Sequence, residues 1–183
     1  MRALSPAADE TPTRLRDILA GIREPGVFQV GFLVTDFDEA LGLYAALWGV
    51  DEWRCFTYGP ETVPQLSYRG RPARYSMRVA LAGTAPQLEL IAPLTGPSIY
   101  EEWLTKRGPG LHHVAFNVAS LSDAITAMSE AGYEVIQSGT GYGLDGDGGY
   151  AYFDTEPRLG VVVEALEVPQ RRRPPERVWR ISA

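Results

Sequence analysis

This chain of 183 residues is poor in thiol and imidazole, with one cysteine, Cys55, and two histidines, His112 and His113. A lone thiol closes no internal disulfide and builds no thiolate zinc cluster, which suits a reducing compartment. Beside Trp53 and Phe56, Cys55 reads as a small, part-buried residue. No apolar run approaches the ~20 residues of a membrane span, and the first residues lack the apolar core of a signal peptide. The expectation is a cytoplasmic protein with no membrane partner. Excess positive charge is missing too. A net charge of -6 and a sequence pI near 5.0 argue against nucleic acid as a partner.

What the chain does contain is internal repetition. Val27 to Val34 is rich in β-branched and aromatic residues and reads as a strand; Asp36 and Glu39 then cap a helix with Phe37, Ala40, Leu41, Tyr44 and Trp48 inward, and Gly49 stops it. His112 to Val118 repeats the strand. Leu121, Ala124, Ile125 and Met128 repeat the helical spacing, and Gly132 repeats the stop. Keeping strand, cap, helix phase and glycine stop in step is a duplication signal. Further strands are expected at 53–58, 74–81 and 87–91 in the first copy, and at 133–137, 149–154 and 160–166 in the second. Each copy is therefore βαβββ, which makes the chain α+β.

The spacing divides the chain into an extension at 1–26, a first module at 27–95, a connector at 96–110, a second module at 111–169 and a tail at 170–183. In the extension a small, polar lead-in precedes a short helix, signalled by Thr11-Pro12 and by Leu15, Ile18, Leu19 and Ile22 at helical spacing. The connector holds a helix from Ser98 to Arg107 between Pro97 and Gly108. The glycine-rich stretch from Gly139 to Gly149 is either a long hairpin or a lid that closes over a ligand.

Each strand pair carries one metal-capable polar residue among apolar neighbours: Gln29 and Glu89 in the first copy, His113 and Glu164 in the second. A carboxylate or amide buried in a strand costs several kcal/mol unless something satisfies it. Four such groups at matching places are satisfied together by one cation. The histidines are adjacent, so strict alternation would send their side chains to opposite faces and admit only one to a shared centre. That excludes a two-histidine, one-carboxylate iron site and the ring-cleaving oxygenases that use one. His112 is expected to face the helices or a partner.

Three segments, Gln87-Leu88-Glu89-Leu90-Ile91-Ala92-Pro93-Leu94, Gly110-Leu111-His112-His113-Val114-Ala115-Phe116 and Gly160-Val161-Val162-Val163-Glu164, resemble the vicinal oxygen chelate superfamily. That superfamily includes glyoxalase I, extradiol dioxygenases and bleomycin-resistance proteins, and the segments are most similar to its methylmalonyl-CoA epimerase branch. The resemblance spans about Val27 to Pro169. It implies two tandem βαβββ modules forming a cupped, barrel-like mixed sheet around a central cavity, with a divalent ion held by Gln29, Glu89, His113 and Glu164, and a homodimer. Two departures stand out. Gln29 replaces the usual histidine, and Glu89 stands where epimerases often have glutamine. The second glutamate base of the epimerases, carried on a middle strand of the first module, has no counterpart between Arg74 and Leu81, where Tyr75 and Arg78 stand.

One imidazole, two carboxylates and one amide oxygen suit six-coordinate Mn²⁺, Co²⁺, Ni²⁺, Mg²⁺ or Fe²⁺, with Zn²⁺ also admissible. Such a centre would stabilise an enolate formed when a proton leaves the carbon beside a carbonyl. Glu164 or Glu89 is then the base. The expected activity is an epimerase, racemase or isomerase acting on a small molecule, either a coenzyme A thioester or a small ketone. A glyoxalase-type lyase and a metal-free binding or resistance protein are the alternatives. Trp53, Phe56, Tyr58, Tyr75, Tyr150 and Tyr152, with Arg78, are the expected pocket residues. The Arg171-Arg172-Arg173 run reads as solvated tail, with a coenzyme A phosphate as its alternative contact.

Overall fold

The structure, a computed structural model, describes residues 11–20, 22–84 and 86–181. The lead-in expected for Met1 to Glu10 lies outside them, as does the side chain of Ile18. The elements run α1 (Thr11–Ala20), β1 (Gln29–Leu33), α2 (Phe37–Trp48), β2 (Glu52–Tyr58), β3 (Gln65–Tyr68), β4 (Arg71–Pro72), β5 (Ser76–Ala82), β6 (Gln87–Thr95) and α3 (Ile99–Arg107). They continue with β7 (Gly110–Asn117), α4 (Leu121–Glu130), β8 (Val135–Thr140), β9 (Gly149–Phe153), α5 (Glu156–Leu159), β10 (Val162–Glu167) and β11 (Arg177–Arg180). No helix among the described residues is long and apolar enough to cross a membrane.

The helix boundaries follow from their caps. Asp36 accepts from the Glu39 backbone N–H at the start of α2, and Gly49 at φ 66° ends it. Ser98 and Gly108 bound α3, and Ser120 accepts from the Asp123 N–H at the start of α4. Each side-chain cap contributes about 1 kcal/mol by satisfying a backbone donor the helix leaves unpaired.

The eleven strands of the described residues form one mixed sheet in the order β11-β2-β5-β6-β1-β7-β10-β9-β8-β3-β4. The first module supplies β2-β5-β6-β1 and the second supplies β7-β10-β9-β8. They join where β1 runs antiparallel to β7. Alternation then sorts residues between two faces. Inside lie Phe56, Met77, Val79, Leu81, Ile91, Tyr150, Tyr152, Val162 and Leu166. Outside, small residues make room for the helices. Ala80, Ala82, Leu90 and Ala92 pack against Phe37, Leu41 and Ala45 of α2. Ala151, Phe153 and Ala165 pack against Leu121, Ala124 and Met128 of α4, with Leu19 of α1 beside them. Burying an aliphatic or aromatic side chain contributes roughly 1.5–3 kcal/mol, so each face has its own reason to keep register.

Two pieces of the chain cross between modules. The hairpin β3–β4 turns at Arg69 and Gly70, both at positive φ, and β3 pairs with β8 of the second module. From the other end of the chain β11 pairs with β2, so residues 177–180 form a strand rather than a solvated tail. Both additions cover an edge that would otherwise present unpaired backbone groups. The tail reaches β2 across the glycine-rich loop: Arg171 forms an ion pair with Asp145, and the Gln170 N–H donates to Asp147.

Candidate metal centre

Register accounts for the convergence of the candidate ligands. Glu89 on β6 pairs with Gly31 on β1, and Gly31 pairs with His113 on β7. Two residues along, Gln87 pairs with Gln29, Gln29 with Ala115, and Ala115 with Glu164 on β10. The rows lie one pleat repeat apart, so Gln29, Glu89, His113 and Glu164 share the inner face. Each first strand carries a ligand candidate and, two residues on, a small residue: Gln29 then Gly31, His113 then Ala115. The ligand of one strand thus lies opposite the small residue of the other. At Gly31 the fit is tight, because an added Cβ would sit 1.8 Å from His113 Cε1.

His113 Nε2 is 3.1 Å from Glu89 Oε2 and 3.1 Å from Glu164 Oε2. The angles do not make these proper hydrogen bonds, and all three atoms are buried without a hydrogen-bond partner. One ligand atom from each of Glu89, His113 and Glu164 lies within 4.8 Å of the other two. Unpaired buried polar atoms cost about 1–3 kcal/mol each, so three of them aimed at one point fit a cation. The oxygen-rich donor set fits a hard or borderline divalent ion. Gln29 is buried beside them with its Nε2 donating to Gln87 Oε1 at 3.0 Å, which leaves Gln29 Oε1 as the atom able to face the centre.

Burial by itself would lower the His113 pKa, but Glu164 and Glu89 outweigh it and raise the group to about 9. Burial raises the Glu164 carboxyl above its ordinary value against the opposing pull of His113, with Glu89 adding to the rise. His113 therefore holds a proton at neutral pH when no cation is bound. Burial, with His113 next to it, depresses His112 well below 6.5 and keeps it neutral.

The centre opens into a cavity lined by Gln29, Tyr58, Met77, Val79, Leu81, Glu89, Ile91, Tyr100, Tyr142, Tyr150, Tyr152, Glu164, Leu166 and Arg172. Glu89 and Glu164 are the carboxylates among these residues. Burial raises the pKa of Tyr58 to about 12 and pushes Tyr150 and Tyr152 further up, so the tyrosines serve as neutral donors. Of the expected pocket residues, Tyr58, Tyr150 and Tyr152 line the cavity. Tyr75 sits behind them, with its hydroxyl 2.9 Å from the Tyr150 hydroxyl, and Phe56 stacks on Tyr58.

Two expectations are corrected. Trp53 points to the outer face, where its Nε1 donates to Leu41 O at 3.1 Å, because Phe56 and Tyr58 take the inward phase of β2. Arg78 also points outward, pairing with Asp38 at 3.2 Å and lying over the Phe37 ring, because Met77, Val79 and Leu81 take the inward phase of β5. The histidines correct a third. The β1–β7 register skips from Gly31↔His113 to Phe32↔Leu111, leaving His112 as the extra residue of a bulge. Strict alternation fails there, and His112 Nδ1 lies 3.1 Å from His113 Nδ1. The expected contact of His112 with a helix does hold, through Tyr100 and Trp103, and His112 contributes no atom to the Glu89–His113–Glu164 group.

Tyr100 and Tyr142 are cavity residues that the pattern did not single out, and Arg172 borders the cavity although its run was read as solvated tail. They arrive from the connector helix, the glycine-rich loop and the tail. Arg171 is engaged by Asp145 and Arg173 Nε donates to Tyr142 O, whereas Arg172 makes no ion pair among the described residues and borders the cavity instead.

Comparison with known proteins agrees with this architecture. The uncharacterized protein YqjC of Bacillus subtilis is 37% identical over 81 residues, covering 44% of this chain and 57% of that protein. The chain thus matches little more than half the length of that relative. A hypothetical protein of Bacillus halodurans superposes with a TM-score of 0.59 at 21% identity, over 81% of this chain and 97% of the other. Methylmalonyl-CoA epimerase of Mycobacterium tuberculosis superposes with a TM-score of 0.58 at 22% identity, over 79% and 89%. A Streptomyces coelicolor methylmalonyl-CoA epimerase variant, in complex with 2-nitronate-propionyl-CoA, gives 0.55 at 20% identity, over 81% and 98%. These structural likenesses are likenesses of fold. The family model for the glyoxalase/bleomycin resistance protein/dioxygenase superfamily matches residues 28–153, and the chain belongs to that superfamily.

Proposed function

We propose that the chain is a metal-dependent carbon-acid enzyme, an epimerase, racemase or isomerase that removes and returns a proton next to a carbonyl. The observation carrying this reading is the convergence of Glu89 Oε2, His113 Nε2 and Glu164 Oε2, buried and unpaired, on the floor of a tyrosine-walled cavity. Gln29, Glu89, His113 and Glu164 would hold Mn²⁺, Co²⁺, Ni²⁺, Mg²⁺ or Fe²⁺, with Zn²⁺ admissible. When bound, such an ion supplies a Lewis acid that polarises a carbonyl oxygen and stabilises the charge developing on it. Glu164 and Glu89 are the proton carriers, since no other carboxylate among the described residues borders the cavity. Tyr150 and Tyr152 exclude water, and Arg172 attracts an acidic substituent of the substrate, such as the phosphate of a coenzyme A thioester.

Two measurements test this. Protein purified without chelator and supplemented with Mn²⁺ or Co²⁺ should hold about one ion per chain; a persistently metal-free protein would favour a binding or resistance role. Solvent deuterium should wash into an acyl-CoA or ketone substrate. Absence of exchange across a panel of both, with the ion bound, overturns the proton-transfer reading. The presence of only two carboxylates gives a glyoxalase-type lyase its support as the second reading, because there too one pair of carboxylates must both take and return the proton. Turnover of a thiol adduct of a 2-oxoaldehyde, without exchange into acyl-CoA, would select it.

A further inference from the structure

A neutral imidazole carries one N–H and one bare nitrogen. If His113 offers Nε2 to a cation, its proton must sit on Nδ1, and that N–H needs an acceptor in a place without water. The acceptor within reach is His112 Nδ1, at 3.1 Å. The bulge in β7 is what allows two consecutive side chains to meet in this way, with their rings 5.3 Å apart and crossed at 85°. His112 is in turn held on several sides: its ring packs edge-on against Trp103 at 5.0 Å, Tyr100 at 5.7 Å and Tyr152 at 5.9 Å. It is 1% exposed. Its Nε2 is buried with no partner among the described residues, and the residue borders a second cavity that Trp103 and Glu102 also line. An imidazole accepting on Nδ1 carries its proton on Nε2.

We propose that His112 is a positioning residue, which fixes His113 in the tautomer and ring orientation that present a bare Nε2 to a divalent cation. This rests on the metal-dependent reading of the same site. Partners of this kind, hydrogen-bonded to the far nitrogen of a ligating histidine, typically account for 10–100-fold in metal affinity. An imidazole in this role couples the centre to α3, because Tyr100 and Trp103 orient it.

The test compares His112→Phe, which keeps the ring but removes the acceptor, with His112→Asn, which restores an acceptor oxygen near Nδ1. Co²⁺ affinity, measured by competition with a chelating dye, should fall about 10–100-fold in the Phe variant and stay within a few-fold of the parent in the Asn variant, at matching far-UV circular dichroism. Full affinity in folded His112→Phe overturns the inference and leaves the metal reading intact, whereas no Co²⁺ uptake by the parent protein overturns both. A readout independent of any variant is the ¹⁵N histidine spectrum of the Zn²⁺-loaded parent. His113 should show a protonated Nδ1 and His112 a bare Nδ1 with a protonated Nε2; the opposite tautomer at His112 also overturns the inference.

Discussion

The two modules use one backbone plan yet equip it differently. Module two brings an imidazole and a carboxylate, His113 and Glu164, both almost completely buried, with side chains 0% and 3% exposed. Module one brings an amide and a carboxylate, Gln29 and Glu89, and the Glu89 side chain is 12% exposed toward the cavity. The second-module ligand strand is braced from behind by His112; Gln29 is braced from the side by Gln87. A strong, fixed half thus faces a weaker and more accessible one. On the proposed metal-dependent reading, anchoring of a cation would fall to His113 and Glu164, and Glu89 would be the carboxylate with more freedom to reach a ligand.

Breaking the strong half has the largest expected effect. His113→Ala should reduce Co²⁺ affinity by more than the ~100-fold typical of an outer partner, because a donor atom itself is lost, while Gln29→Ala should cost about tenfold. Titration of both variants with Co²⁺ checks the ranking. Equal losses would erase the contrast between the modules. Gly31→Ala attacks the same half from module one: the new Cβ would displace the His113 ring. Affinity should fall nearly as far as in His113→Ala, with a loss of about 1–3 kcal/mol in stability from overpacking, read by urea denaturation. Ala115→Gly, at the equivalent place opposite Gln29, should leave Co²⁺ binding within a few-fold.

Gly31 also marks how far the sequence could be read. The duplication, the βαβββ order, the three capped helices and the inner-face polar set all lie in local signals: Asp36 three residues before Glu39, glycine stops, alternation around Glu89 and Glu164. The small residues opposite each ligand were legible as well, since Gly31 and Ala115 occupy the same place in the two copies, but their role depends on the β1–β7 register, which only pairing defines. Trp53 and Arg78 fell on the wrong face because aromatic or charged character does not reveal the phase of a strand; their neighbours Phe56 and Met77 do. The bulge at His112 broke the alternation rule through pairing with another strand. Arg172 and Tyr142 reach the cavity through contacts between the tail and the glycine-rich loop, such as Arg171 with Asp145 26 residues earlier, and no periodic pattern records such contacts.

Protonation sharpens the comparison at a smaller scale. His113 in the cation-free protein sits at about 9, above its ordinary 6.5. A folded-state pKa raised above the unfolded value adds stability that is fully present below pH 6.5 and is lost as pH rises through 9. The metal-free protein should therefore lose on the order of 3 kcal/mol between these limits, and His113→Gln should show a flatter profile across them. Cation binding must expel the same proton, so at pH 7.5 addition of Co²⁺ should release about one proton per chain, measured as a buffer-dependent binding enthalpy, and apparent affinity should climb with pH toward 9. Gln29→Ala should leave this release unchanged, because the amide does not titrate and the proton belongs to His113, held there by Glu164 and Glu89. Proton release that vanished in Gln29→Ala would show that cation binding at His113 depends on the amide, and would undo the assignment of the anchoring half.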